Sequence, residues 1–183
     1  MRTARMWIIL AIILMGAACT SQQIYVNDGA IMSRARKVAV LPLVNLTSYP
    51  NAGQIVGNLM NTELMAMTNF NVIEQTKMLA VIRGEKGLLD EKIDRAVATK
   101  IGKKLGVDTI IYGSVNEFRY KRGLDENPAA GVTISMLDLQ NNKIIWSGSR
   151  AATGGCFWFC EDSLSLLAQN ICHHLVSNMV KGH

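Results

Sequence analysis

Histidine is almost missing from this chain. His173, His174 and His183 are the three among 183 residues, and all sit near the C-terminus. A Ser/His/Asp relay would have to recruit its base from the last helix. No G-x-S-x-G, H-E-x-x-H or G-x-x-x-x-G-K-S/T pattern occurs. Acyl transfer, zinc proteolysis and P-loop chemistry therefore lack their signatures, and no enzyme and no cofactor is expected. A dense basic block is also missing. The "RARK" at 34–37 precedes a strand and reads as a solvated face, so nucleic acid is not an expected partner. Tandem repeats and low-complexity tracts are absent. Long apolar runs are lacking too, with one exception at the very start.

That run, Met6 to Met15, follows Arg2 and Arg5 and ends in Gly16-Ala17-Ala18-Cys19. A short positive region, an apolar core and small residues make a secretory signal. The stretch is too short to span a bilayer core of about 30 Å, which takes about 20 residues. The segment resembles a bacterial lipobox, with Gly16 where Leu is usual. Cleavage would leave Cys19 at the new N-terminus, lipid-modified and anchored in the membrane. The bland alternative is a secreted protein with Cys19 a spare thiol. The expected boundaries are a signal peptide at 1–18, a lipidated polar tether at 19–36 and one α/β domain at 37–183. Removing residues 1–18 also removes two arginines and lowers the formal charge from +5 to +3. The 165 residues from Cys19 onward are enough for one sizeable core.

Cys156, Cys160 and Cys172 remain, an odd number for an oxidising compartment. Their spacing with His173 and His174 matches no familiar zinc pattern, and no metal is expected.

"KVAVLPLVN", 37–45, reads as a buried first strand. Val56, Leu59, Met60, Leu64 and Met67 repeat at helical spacing and predict a helix over 53–68. "FNVIE", 70–74, reads as a second strand, followed by a short helix at 76–84. A further helix is expected with Asp90 as N-cap and Gly106 as C-cap. Ile93, Val97, Ile101 and Leu105 line one of its faces. Strands at 107–120, 132–139 and 143–151 follow, the last two joined by a turn at 140–142. "KRGLDENPAAG", 121–131, reads as a loop. A final helix spans 162–180. The order β-α-β-α-α-β-β-β-α predicts an α/β (α+β) fold, a mixed sheet of about five strands with helices packed on it. Glu117 and Asp138 stand on neighbouring strands and could pair as acid and base. Solvent-facing or salt-bridged carboxylates are the commoner case.

"VAVLPLVN", "FNVIE" and "KIGKKLGVDTIIYGSV" resemble a group of bacterial lipoproteins with a shared α/β domain. The group includes the curli secretion lipoprotein and the outer-membrane activator of a peptidoglycan synthase. "GSVNEFRYKRGLDENPAAGVTISMLDLQNNKIIWSG", 113–148, is more narrowly similar to the PelC family of exopolysaccharide-export lipoproteins. That resemblance implies a ring of twelve copies under the outer membrane. It also implies a β-barrel exporter as partner and a cationic polysaccharide drawn in by acidic residues. Asp125 and Glu126 are the candidates for that attraction, with Asp138 a weaker one. A local turn hydrogen bond is an equal reading for Asp125. Arg119, beside Tyr120, is a candidate subunit contact or a plain solvent-facing residue. Phe157, Trp158 and Phe159 are three aromatics in a connector. They read as a contact with outer-membrane lipid, or else as a cap on the core or a subunit boundary. The resemblance thus implies an outer-membrane lipoprotein on the periplasmic face. A monomeric activator of a cell-wall synthase and a curli-type channel are the alternatives.

Overall fold

A computed structural model describes residues 21–26, 37–84, 93–121, 127–154 and 163–181. These residues form a mixed seven-stranded sheet with four helices, as the pattern predicts, with two more strands than expected. The strands are β1 (Ser21–Val26), β2 (Lys37–Val40), β3 (Val44–Asn45), β4 (Asn71–Val72), β5 (Thr109–Lys121), β6 (Asn127–Asp138) and β7 (Lys143–Thr153). The helices are α1 (Ala52–Met67), α2 (Gln75–Gly84), α3 (Arg95–Leu105) and α4 (Leu164–Lys181). The sheet runs β1-β7-β6-β5-β2-β4, with β3 also on β5. β2, β3 and β4 join in parallel, while β5, β6, β7 and β1 form an antiparallel meander.

"VAVL" reads as one apolar run because β2 is buried on both faces. Val38 and Val40 face a core shared with α1 and α4, and Ala39 and Leu41 face a second core under α2 and α3. On β6 the alternation differs. Val132, Ile134 and Met136 enter the first core, but Thr133 and Ser135 occupy the other face. There Thr133 Oγ1 lies 2.9 Å from Ser149 Oγ, and Ser135 Oγ 3.0 Å from Ser147 Oγ. A hydroxyl-lined face needs no helix over it.

Several expectations shift. Pro42 has no N–H to give to a ladder, so the first apolar run splits into β2 and β3. Residues 21–26, assigned to a polar tether, are an edge strand antiparallel to β7 from Ser21↔Ala151 to Val26↔Trp146. Gln22 and Gln23 disguise it, because a strand at the sheet edge does not need apolar alternation. The loop expected over 121–131 is shorter, because β6 begins at Asn127. Small Ala129, Ala130 and Gly131 lie within paired strand there. The N-cap of α3 is Asp94, whose carboxylate accepts from Val97 N at 2.9 Å. Asp90 lies outside the described residues. Gly106 does close that helix, at φ 60°.

The Trp-Ser-Gly sequence within β7 has a steric reason. Trp146 is buried, and a methyl on Gly148 would sit 2.4 Å from its ring. Only glycine two residues on leaves the indole its place on the shared face.

Candidate functional site

Strand register gathers four chain segments at one end of the sheet. Ser21 of β1 is level with Ala151 of β7, Gly131 of β6 and Glu117 of β5. β1 and β6 therefore start near this end, and β5 and β7 finish near it. Lys121 and Asn127 flank the stretch holding Asp125 and Glu126. Gly154 and Ser163 flank the stretch holding Phe157, Trp158 and Phe159. Gly154 N donates to Pro128 O at 2.8 Å, which ties β7's exit to β6's entry. Cys19 stands two residues before Ser21. All six of these candidates, with Cys156 and Cys160, lie outside the described residues, but their chain neighbours converge on this end.

Arg119 and Tyr120 are on β5 at the same end. Arg119 Nη2 pairs with Glu117 Oε1 at 2.8 Å, two residues back on the same face. Arg119 is more than half exposed, so this pair is worth little to stability, but it occupies the guanidinium within its own chain. Tyr120 Oη accepts from Leu164 N at 3.3 Å, at the start of α4. Ser163 Oγ accepts from Leu166 N there as well. These oxygens satisfy N–H groups that a helix start leaves open.

Asp138 is not with them. It lies opposite Thr109 and Lys143, at the far end of the sheet. Its carboxylate accepts from Gln140 N at 2.9 Å and Asn141 Nδ2 at 2.7 Å and pins the β6–β7 turn. Glu117 is eight positions along β5 from Thr109, or about 25 Å at strand rise. The conceivable acid–base pair of Glu117 and Asp138 does not form.

His173 and His174 face outward on α4, and His183 lies outside the described residues. His173 Nδ1 is 3.0 Å from Glu63 Oε2 of α1. His174 is held below the usual histidine range, first by partial burial and then by Arg150, His173 and Lys181. Cys172 is buried between α1 and the sheet, and burial pushes its thiol up to about 12, with Glu63 adding to it. Among the described residues, no three His, Cys, Asp or Glu side chains gather as a metal set. No described helix is long and apolar enough to cross a membrane.

Sequence reasoning missed one surface. Tyr25, Arg95, Lys143, Ile144 and Ser147 line an open groove of about 490 Å³ beside β1. Once Tyr25 is assigned to a tether, nothing in the sequence links it to residues 70 and 118 positions away.

Residues 17–152 match the family model for the peptidoglycan-synthase activator LpoB. The chain belongs to the LpoB family. The matched span begins before Cys19 and runs into the end of β7. Among solved structures, a PelC dodecamer from Paraburkholderia phytofirmans is similar, at 24% identity over 87% of this chain and 96% of that one, with TM-score 0.64. Lipoprotein GNA1162 from Neisseria meningitidis follows at 21% identity, 80% and 96% coverage, and TM-score 0.56. No curated protein sequence matches the chain. The LpoB-family fold seen here is thus shared with PelC and with lipoprotein GNA1162. The family model is that of an activator.

Proposed function

We propose that this chain is an outer-membrane lipoprotein, anchored through Cys19, that assembles into a ring and assists export of a cationic exopolysaccharide through a partner β-barrel. The observation that carries this reading is the shared end of the sheet. β1 starts two residues after Cys19, within about 7 Å of chain. A lipid there holds the sheet close against the membrane rather than on a long tether. The stretches carrying Phe157, Trp158 and Phe159 and carrying Asp125 and Glu126 leave the sheet at that same end. Aromatic rings suit the membrane–water boundary. Acidic groups nearby raise the local concentration of an amino-sugar polymer. The likeness in fold to a PelC dodecamer supports a ring of copies.

A second reading is favoured by the family match itself: a monomeric lipoprotein that activates a cell-wall synthase. Light scattering on the acylated full chain in detergent, and on the chain from residue 20, separates the two. A large closed oligomer in either sample is the expected result. A monomer in both overturns the ring and leaves the activator.

A further inference from the structure

Among the described residues, β1 is an edge of the sheet. β7 holds one side of it, and among the described residues no strand holds the other. The opposite edge is different. β4 is two residues long, and the start of α1 lies over the outside of β3. Leu43 N donates to Gly53 O at 3.2 Å, and a methyl on Gly53 would sit 1.8 Å from Leu43 O.

Exposed edges invite pairing, and natural proteins blunt them with charge, proline, bulges or shortness. "SQQIYV" has no charge and no proline. Its register on β7 is unbroken over all six residues. Ile24 and Tyr25 are 43% and 55% exposed, on opposite faces of the strand. Apolar exposure on an unguarded edge marks a pairing surface.

The groove says what pairs. A residue opposite Tyr25 in an added strand points to the same face as Tyr25. Arg95 from the start of α3 and Lys143 from the start of β7 line the groove, with Ile144 and Ser147. Arg95 also donates to Asn142 O. Asp138 stands opposite Lys143 in register, but its carboxylate accepts from Gln140 N and Asn141 Nδ2 in the turn. Arg95 and Lys143 beside an aromatic ring then select a carboxylate. A cationic polymer is repelled there.

A second copy joined through the same edge fits poorly, a point that rests on the Cys19 anchor proposed above. Two β1 edges related by a twofold axis pair antiparallel. Their Cys19 ends then lie at opposite ends of the joined strands and point opposite ways. Two short-leashed lipids in one leaflet oppose that arrangement.

We infer that the β1 edge and the adjoining Arg95–Lys143 groove form a docking site for an extended, acidic peptide segment of a partner protein, taken up as an added strand. Main-chain hydrogen bonds to β1 supply the affinity, and the groove supplies the selection.

The test uses the acylated full chain in detergent and a short fluorescent peptide of alternating Thr and Val, with Glu on one face. Saturable binding by anisotropy is expected in the micromolar range. Lys143→Glu, at an exposed position, weakens it at least about tenfold, as does replacing Glu by Lys in the peptide. Strand addition uses the amides of alternate residues. Methylating one alternate set therefore abolishes binding, and methylating the other leaves it intact. No saturation by about 1 mM, equal binding of both methylated peptides, or indifference to the charge reversals each overturns the site. Crosslinking between Gln23→Cys copies that excess peptide fails to suppress also overturns it, because a second copy then holds the edge. None of these readouts depends on whether the protein forms a ring.

Discussion

Glu63 on α1 accepts from two side chains of α4. His173 Nδ1 is 3.0 Å from its Oε2, and Gln169 Nε2 is 3.2 Å from its Oε1. The carboxylate is buried, whereas the imidazole is half exposed. The two helices that cover the first core are thus joined by polar contacts as well as by Met60, Leu64, Leu167 and Ile171. Glu63→Ala leaves Gln169 without its acceptor and opens the seam. A loss of about 1–3 kcal/mol is expected. Thermal melting should show a drop of several degrees, with His173→Ala costing less because its ring already meets water.

Cys172 sets an alkaline limit. Its thiol is raised from 9.0 to about 12 by burial. Between those values the unfolded chain has lost the proton and the folded chain keeps it. Stability from this group is therefore complete below pH 9 and lost as pH rises toward 12. Melting curves at pH 8 and pH 10.5 should differ more for the natural chain than for Cys172→Ala. A thiol reagent should reach Cys172 only after denaturation.

Gly148→Ala tests the packing of the β7 motif. The added methyl meets Trp146 ring carbons at 2.4 and 2.8 Å and Leu175 Cδ2 at 3.1 Å. The indole fills the core and has little room to retreat. A cost of about 1–3 kcal/mol is expected. Gly84→Ala, where a methyl meets nothing within 4 Å, should change the unfolding free energy from denaturant titration by about 0.5 kcal/mol or less.

Asp125→Asn with Glu126→Gln removes two charges from the stretch beside the proposed anchor. Exported polymer, measured by sugar staining, should fall several-fold while the melting temperature stays unchanged. Asp138→Asn should do the reverse. It weakens the turn contacts to Gln140 and Asn141 by about 1 kcal/mol and leaves export alone.

The helices were readable because their signals are local. The apolar repeat of α1 and the glycine closing α3 both act within a few residues. The start of α3 slipped because two aspartates, 90 and 94, offer the same chemistry four residues apart. Asp94 reaches Val97 N, and the helix begins after it.

β1 shows where the sequence runs out. Its six residues carry no periodic pattern, because what makes them a strand is the open side of β7, more than a hundred positions away. The groove beside it depends on the same long-range pairing.

What the sequence determined alone was chemical and periodic: buried strands with amphipathic helices, and motifs that carry the family. Those rest on residue type and near-neighbour spacing. Tertiary structure decided which distant segments share an end of the sheet, which described edge lacks a partner strand, and which side chains and amides Arg119 and Asp138 meet. Strand pairing and burial join residues without regard to their separation in the chain, and only folded contacts can rank one partner over another.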